Sequence, residues 1–355
     1  MKHLLLILTF VLCSHAQWRV STFAGSDSGY VDGKTYEAMF NRPFGMCQDD
    51  LGNIYVCDSG NNVIRKVDQE RMVTTFIGNG KTGIIDGSAL DAEFNSPTGI
   101  CTDNSGNFLI VDFLNQAIRK IDSRESVTTI AGNGEVGLLD GMGANAKFNY
   151  PRGIVIDSKG NLFVSDSWNH RIRKISTNGI VSTFAGGGKS ALVNAVGAND
   201  DDFGTYKDGP DTTARFHTPC GLAIDSEDNI YVADALNHMI RKITKEGLVS
   251  TIAGNGIAGF GEGNALEVSL NTPTELCVAR NGEVFISDTY NNVIRKLTLE
   301  GNLITIAGNG EKGDLDGLQK DSMIDYPRGI ISNTDGTRII FIDHNNNKLK
   351  LIELN

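Results

Sequence analysis

The sequence lacks the local motifs of several large enzyme classes. It contains no G-x-S-x-G, no H-E-x-x-H and no C-x-x-C, which excludes a nucleophile elbow, a zinc-protease helix and a dithiol redox site as single-segment motifs. No predicted helix follows its GNG segments, so they are turns and not phosphate-binding loops. A catalytic site would therefore need residues from distant parts of the chain.

Positive charge and long apolar runs are also scarce. The chain has 32 Lys and Arg against 43 Asp and Glu, a formal net charge of -11, and an acidic surface repels phosphate backbones. We therefore expect no nucleic-acid partner. The longest apolar run, residues 4–12, is far shorter than the roughly 20 residues that span a bilayer, so we expect no membrane span.

That apolar run has the setting of a secretory signal peptide. It follows Lys2 and His3, and the small residues Ser14 and Ala16 precede Gln17 at a suitable cleavage point. We predict a signal peptide over residues 1–16, a single mature domain over residues 17–355, and secretion to the extracellular space.

One phrase of ten residues occurs six times along the chain. It reads CDSGNNVIRK at residues 57–66 and recurs as VDFLNQAIRK, SDSWNHRIRK, ADALNHMIRK, SDTYNNVIRK and IDHNNNKLKL. Each unit holds four short alternating apolar runs bounded by Gly, Asn or Asp, the pattern of four β-strands. A four-stranded repeat of this length without helices is typical of a β-propeller blade. Prolines precede the copies at intervals of 54, 54, 68, 54 and 54 residues: Pro43, Pro97, Pro151, Pro219, Pro273 and Pro327.

The two ends of the chain are predicted to complete one blade. The last unit stops at LKLIELN after three strands, and VSTFAG at residues 20–25 matches the fourth strands at 127–132 and 181–186. We predict an all-β, six-bladed β-propeller with four-stranded blades, closed by an N-terminal strand that completes the last blade. Closure of this kind removes open sheet edges.

The polar residues that recur in the units are best explained as architecture, because a catalytic group is needed only once or twice. We interpret the repeated Asp and Asn as turn-formers that hydrogen-bond exposed backbone between the second and third strands, and the repeated Arg as the partner of the Asp. The sets are Asp58, Asp112, Asp166, Asp234, Asp288 and Asp343; Asn61, Asn115, Asn169, Asn237, Asn291 and Asn346; and Arg65, Arg119, Arg173, Arg241 and Arg295.

The repeated core resembles the NHL repeat, most clearly in GNLFVSDSWNHRIRK (160–174) and DNIYVADALNHMIRK (228–242). The resemblance covers about residues 18–355 and implies a six-bladed propeller. Members of that family serve as protein-binding platforms, as RNA-binding domains and as the catalytic body of peptidyl-hydroxyglycine amidating lyases, so the fold alone does not fix the function. The RNA-binding role needs a basic face, which this acidic chain lacks.

The resemblance to the lyases, which hold zinc with histidines at the centre of the propeller, leaves an enzymatic alternative open. His170 and His238 occupy the position of a zinc ligand in that lyase, and His217 offers a third nitrogen; a catalytic zinc takes three protein ligands and a water. In this alternative the protein is a metal-dependent lyase or hydrolase with Glu275 and His217 as candidate catalytic residues. The other interpretation is that His170 and His238 are ordinary repeat residues.

Positions that break the repeat are the better candidates for function. The variable positions after the repeated Asp lie in the loop between the second and third strands and hold Phe113, Leu114, Trp168, Leu236 and Tyr290. Large apolar side chains on one rim have the composition of a protein-binding hot spot. The alternative is that each side chain packs on the neighbouring blade and covers the seam.

A second departure from the repeat is Glu275, which replaces the Gly of the other five units. This position starts the innermost strand, so a carboxylate there points at or beside the central channel and is placed to coordinate a cation or anchor a polar ligand. A solvated side chain at the mouth is the alternative. Arg152 and Arg328, each in a YPRG segment, add cations to the same channel mouth.

Two further features remain open. The long unit carries Asp200, Asp201 and Asp202 in its insertion, either a calcium site or an ordinary surface loop. Cys47 and Cys57 flank the turn DDLGN, and an oxidising compartment favours a disulfide between them; the alternative is that they fill apolar space. No cofactor is assigned, and calcium and zinc are the candidates.

Together these features predict a secreted, monomeric binding module. Its rigid propeller face would meet an extracellular protein or a small polar ligand.

Overall fold

The chain folds into six β-sheets. The structure is a computed structural model that describes residues 17–187 and 206–354. Each sheet is antiparallel, and the innermost strand of every sheet packs against the innermost strands of its two neighbours, the last against the first. The arrangement is a closed six-bladed propeller. The predicted fold class is therefore confirmed.

The blades are numbered in chain order, each from its innermost to its outermost strand. Blade 1 contains Met46–Gln48, Ile54–Asp58, Val63–Val67 and Met72–Ile77; blade 2 contains Pro97–Thr102, Phe108–Asp112, Ala117–Ile121 and Val127–Ala131; blade 3 contains Pro151–Ile156, Leu162–Asp166, Arg171–Ile175 and Ile180–Ala185. Blade 4 contains Pro219–Ile224, Ile230–Asp234, Met239–Ile243 and Leu248–Ala253; blade 5 contains Pro273–Val278, Val284–Asp288, Val293–Leu297 and Asn302–Ala307; blade 6 contains Pro327–Ser332, Arg338–Asp343, Lys348–Leu354 and Trp18–Ala24.

Five of the six sheets hold a fifth, two-residue strand that the sequence did not predict. It comes from the link before the blade and pairs with the blade's outermost strand; in blade 2 a single bridge between Gly87 and Val127 takes its place. The prediction of four-stranded blades is wrong in this detail, because a pairing of two residues leaves no alternation of apolar residues to recognise. The added strands are Gly33–Lys34, Gly141–Met142, Gly209–Pro210, Gly263–Asn264 and Gly317–Leu318.

The N-terminal strand closes the ring as predicted. Trp18–Ala24 pairs antiparallel with Lys348–Leu354, with Val20 opposite Ile352. Across the closing seam, the N–H of Gly329 in blade 6 donates to the carbonyl of Phe44 before blade 1 (2.8 Å).

The hydrophobic core is divided into six clusters, each lying between two neighbouring blades. Alternate residues of each strand point into these seams, as the period of two predicts. The phenylalanine of the FN segment before blades 1, 2 and 3 is fully buried there, as Phe40, Phe94 and Phe148. Burying one such side chain contributes about 1.5–3 kcal/mol, so contacts between blades stabilise the ring.

The repeated Asp, Asn and Arg form a buried tether between each blade and the link that precedes it. In blade 3, Asp166 accepts the backbone N–H of Asn149 (2.7 Å), and its other oxygen accepts from Asn169 (2.8 Å) and Arg173 (2.7 Å). The predicted Asp–Arg pairs are confirmed in five blades at 2.6–3.3 Å. The Asp and Asn were predicted to hydrogen-bond exposed backbone between the second and third strands. That detail is wrong, because Asp166 and Asn169 are buried and bind backbone of the link, at Asn149 and Gly137.

The two faces of the disc carry different connections. The links between blades and the single-turn 3-10 helices that follow the second strands lie on one face, whereas the hairpin turns after the first strands lie on the other. The helices after second strands are Ser59–Asn61, Phe113–Asn115, Ser167–Asn169, Ala235–Asn237 and Thr289–Asn291; three more, Thr35–Glu37, Gly143–Asn145 and Asp211–Thr213, lie in links.

The predicted disulfide does not form. The hairpin of blade 1 pairs Cys47 with Tyr55, and the N–H of Cys57 donates to Gly45 (2.9 Å), so the two cysteines are offset by two residues. All five cysteines in the described part of the chain are free. They fill apolar space, which was the alternative interpretation.

Other predictions concern residues that the structure does not reach. The predicted signal peptide and the calcium candidates Asp200, Asp201 and Asp202 lie outside the described residues. In the ranges that are described, no helix has the length and apolar character needed to cross a bilayer.

Candidate binding face and channel mouth

The predicted rim residues share one exposed surface, which we call the aromatic face. The 3-10 helices after the second strands turn these side chains away from the sheets, so that Trp168 is 47% exposed and Tyr290 52% exposed. Leu114 and Leu236 are exposed to a similar degree, whereas Phe113 is half-buried. These side chains are therefore accessible on one face, although Phe113 and Tyr290 also contact the tyrosine that precedes the next blade.

Aromatic rings on this face form two rows on opposite sides of the disc. In the first row, Tyr150 lies 5.3 Å from Phe113 and 4.6 Å from Trp168, measured between ring centroids. In the second, Tyr326 lies 5.3 Å from Tyr290. Such separations are typical of favourable aromatic pairs, so the rings support one another in fixed orientations.

Sequence reasoning missed one tyrosine in each row. Tyr150 and Tyr326 precede the proline of the two YPRG segments, where the other blades have Arg42, Ser96, Thr218 and Thr272. The signal was available, because the same segments were selected for their arginines. Leu236 lies apart, on blade 4, and does not join either row.

The two YPRG arginines meet over one buried ring at the channel mouth, which consists of Phe44, Arg152 and Arg328. The guanidinium carbon of Arg328 lies 4.5 Å from the centroid of Phe44 and 4.6 Å from that of Tyr326. The guanidinium carbon of Arg152 lies 5.6 Å from Phe44 and 4.7 Å from Phe113. The mouth therefore connects the two aromatic rows, and its contacts are cation–π contacts.

Neither arginine of the mouth has an anionic partner among the described residues. Arg328 is only 8% exposed, and its Nε and that of Arg152 are buried without a hydrogen-bond acceptor. Burial lowers the pKa of Arg328, and the neighbouring charge of Arg152 lowers it further. Buried cations are normally paired, so the mouth is an unusual concentration of unsatisfied positive charge in an acidic protein.

Beneath the mouth, Glu275 lines a narrow central cavity of about 60 Å³. Its carboxylate packs so close to Gly221 that a Cβ there would lie 2.3 Å from Oε2. Burial raises the pKa of Glu275 to about 8, although Arg328 and Arg152 act in the opposite direction. The carboxyl group, predicted to point at the channel, lies in it and holds its proton at neutral pH.

A ring of six hydrogen bonds joins the blades on the aromatic face, and we call each one an interblade latch. The side chain just before a third strand accepts the backbone N–H of the residue before the next proline. All six N–H groups belong to non-glycine residues with left-handed φ of 49–63°, a conformation that costs free energy and needs support. The latches are Asn62 to Ser96, Gln116 to Tyr150, His170 to Thr218, His238 to Thr272, Asn292 to Tyr326 and Asn347 to Arg42, at 2.6–3.1 Å.

This role explains His170 and His238 as ordinary repeat residues. In each histidine, Nδ1 accepts the backbone N–H that the side-chain oxygen of Asn or Gln accepts in the other blades. Nδ1 must therefore be unprotonated. Burial lowers the pKa of His170 to about 4, and that of His238 is lowered for the same main reason. The ring of His217 lies 5.4 Å from that of His170, but no group of three or more His, Cys, Asp or Glu side chains in the described ranges is placed to hold a metal ion.

Comparison with known proteins agrees with the architecture. The NHL-repeat family pattern matches residues 40–66 and 148–175. The chain is 30% identical over 327 residues to Protein SUPPRESSOR OF QUENCHING 1, chloroplastic, of Arabidopsis thaliana, covering 86% of this chain and 30% of that protein. It is also 30% identical over 344 residues to NHL repeat-containing protein 2 of Gallus gallus, covering 86% of this chain and 46% of that protein.

The chain therefore spans less than half the length of these two relatives. Among solved structures, an auxiliary nutrient binding protein from Bacteroides ovatus superposes with a TM-score of 0.70 at 14% identity, over 96% of this chain and 78% of that one. At this identity the likeness shows the fold alone. The matched repeats and the six closed blades together establish that this chain is an NHL-repeat protein built as a six-bladed β-propeller.

Proposed function

We propose that this protein is a secreted binding module whose aromatic face receives an extracellular protein or a small polar ligand. The observation that carries the proposal is the pair of aromatic rows that flank two unpaired arginines on one face of a rigid disc. Aromatic side chains and arginine are the residues most enriched at the centres of binding interfaces. The rows are already fixed by ring contacts, so little side-chain entropy would be lost on binding.

The geometry favours binding over metal-dependent catalysis. In the enzymatic alternative, His170, His217 and His238 would hold zinc, with Glu275 and His217 as catalytic groups. Two of the three histidines already use Nδ1 in interblade latches. These bonds have counterparts made by Asn and Gln, which are poor zinc ligands, so the arrangement is explained without a metal.

A comparative capture experiment tests the proposed face. The immobilised parent protein, a Trp168→Ala/Tyr290→Ala variant and a Leu51→Ala/Leu299→Ala control are exposed to the medium and extracts of the source cells. The control removes two exposed apolar side chains, 71% and 65% accessible, from hairpin turns on the opposite face. We expect partners held by the parent and the control to be lost by the face variant.

Equal retention by all three proteins would contradict the assignment of the face. Chelator in the wash separates the alternatives further: retention that depends on a metal ion, with turnover of the captured ligand, would favour the enzyme.

Secretion is part of the proposal and has its own test. Expression of the full chain in a secreting host is expected to give a product in the medium that begins at Gln17, as read by N-terminal sequencing. Retention in the cell with an intact N-terminus would contradict it.

A further inference from the structure

The arginines of the channel mouth lie over aromatic rings and have no carboxylate within ion-pair distance among the described residues. Arg328 lies between the rings of Phe44 and Tyr326, and Arg152 lies against Phe44 and Phe113. A cation–π contact stabilises the charge of a guanidinium but supplies no conventional hydrogen-bond acceptor to its five N–H groups. Within the described ranges, neither Nε has a hydrogen-bond acceptor, and neither guanidinium has a carboxylate within ion-pair distance.

Guanidinium groups without an anionic partner have a specific chemical complement. A carboxylate is planar and binds a guanidinium edge through two parallel N–H···O bonds. The neighbouring acid does not fill this role, because Glu275 lies deeper in the channel and makes no contact within ion-pair distance of either arginine. We propose that the channel mouth binds the carboxylate of a small aromatic monocarboxylic acid between Arg152 and Arg328, with the acid's ring against an aromatic row.

Charge and shape limit the ligand to a small acid. The protein carries a net charge of -11, which repels a polyanion such as a nucleic acid, whereas a single carboxylate is offset by two local cations. The aromatic rows begin at the arginines themselves, since Phe113 and Tyr326 each touch one. An acid whose carboxylate reaches the mouth therefore places its apolar part beside Tyr150 or Tyr290.

The inference rests on the proposed binding function and names the ligand chemistry of the same face. Its test uses isothermal titration calorimetry of the purified protein with phenylacetate, its neutral analogue phenylacetamide, acetate and sulfate. The acid and the amide share the ring and differ in the charge that the arginines would read. Arg152→Met and Arg328→Met remove one guanidinium each, and Arg280→Met removes an exposed one from a hairpin turn on the opposite face.

We expect phenylacetate to bind more tightly than acetate and sulfate, and phenylacetamide to bind at least tenfold more weakly than phenylacetate. Arg152→Met is expected to weaken phenylacetate binding at least tenfold, since it loses charge-assisted hydrogen bonds, while Arg280→Met leaves it unchanged. Arg152 is partly exposed, so its variant remains informative if the buried Arg328→Met does not fold.

Equal binding of acid and amide, the absence of phenylacetate binding, or full binding by Arg152→Met would overturn the inference. Sulfate binding as tight as phenylacetate binding would overturn the aromatic part and leave a bare anion site. Failure here with selective capture intact would leave the proposed function standing, whereas phenylacetate binding without selective capture would overturn only the protein-partner role of the face.

Discussion

Single residues hold neighbouring blades in register through the interblade latches. His170 and His238 fill a role for which Asn is used in three other blades, and the donor in each case is a residue in the left-handed conformation. A histidine can accept with Nδ1 only when that nitrogen is unprotonated. A latch made by histidine is therefore broken when acid protonates Nδ1, whereas a latch made by asparagine is not.

The first prediction concerns the pH dependence of stability. The pKa of His170 is about 4 in the folded protein and 6.5 in the reference state, so its contribution to stability is present above about pH 6.5 and is lost as the pH falls toward 4. His170→Asn should keep the latch and reduce the loss of unfolding free energy between pH 7 and pH 4.5 by roughly 1–2 kcal/mol. Chemical denaturation at both pH values measures this.

A companion variant separates the latch from the charge. His170→Ala leaves the Thr218 N–H without its acceptor, and we expect it to lower stability at pH 7 by about 1 kcal/mol. If His170→Asn and His170→Ala behave alike at pH 7, the latch is not a stabilising contact.

The second prediction concerns Glu275. Its pKa is raised to about 8 from 4.5, chiefly by burial and against the attraction of Arg328 and Arg152, so the folded protein keeps a proton that the unfolded chain has released. The contribution of Glu275 to the unfolding free energy should therefore fall as pH rises from about 4.5 to about 8, opposite in sign to the contribution of His170. Glu275→Gln should remove this fall and be more stable than the parent at pH 8 by roughly 1–3 kcal/mol.

Denaturation of both proteins at pH 5 and pH 8 tests the assignment. Parallel behaviour of parent and variant between these values would mean that the carboxyl group is already ionised in the channel, paired with the arginines.

At the scale of elements, the buried tether fixes each link to its blade. Arg119 binds the buried Asp112 (2.6 Å) and the carbonyls of Glu93 and Ile85 (2.9 Å each). Removing one partner of a buried pair strands the other charge and typically costs 3–5 kcal/mol. Breaking the tether should therefore cost more stability than breaking an exposed ion pair.

The third prediction compares two arginines of the same blade. Arg119→Met should lower the unfolding free energy by about 3–5 kcal/mol, whereas Arg124→Met, whose side chain is 87% exposed, should change it by less than about 0.5 kcal/mol. Thermal and chemical unfolding of both variants give the comparison. A similar small effect for both would show that the tether is not stabilising.

Which elements could be predicted follows from the length of their sequence signal. The four main strands of a blade each alternate over about five residues, so their existence and order were predictable. The two-residue strand Gly33–Lys34 is too short to show alternation of apolar and polar residues, and so is the single bridge at Gly87. The prediction of a Cys47–Cys57 disulfide was wrong because it needed the register of the hairpin. Turn geometry sets that register, and a shift of two residues keeps the same alternation of side chains, so the sequence pattern does not reveal it.

At the scale of the whole molecule, stability depends on closing the ring. The strand Trp18–Ala24 covers the edge of Lys348–Leu354, and an uncovered edge is a template for pairing with another chain. We therefore expect the fold to be especially sensitive to deletion of Trp18–Ala24 or Lys348–Leu354.

The fourth prediction is that deleting residues 17–25 from the mature chain lowers the melting temperature and causes self-association. A synthetic peptide of residues 17–25 added in trans should reverse both effects. Thermal unfolding and sedimentation velocity measure them. A deletion variant that remains monomeric with the parent's melting temperature would contradict closure by this strand.

The candidate site was predictable only where it departs from the repeat. Trp168, Tyr290 and Glu275 stood out because the other blades have different residues there, and the structure shows where their side chains lie. Tyr150 and Phe44 belong to the site because of their contacts with residues of other blades. The spacing of residues along the chain does not predict these contacts. Their assignment to the site needed the closed ring.

The most direct test of the central claim, that the aromatic face is the binding surface, is site-specific photo-crosslinking in the medium of the source cells. A benzophenone amino acid replaces the exposed Tyr290 in one protein and the exposed Leu299 of a hairpin turn on the opposite face in another. We expect discrete covalent products at position 290 that are absent at position 299. Equal products at both positions, or none at 290, would contradict it.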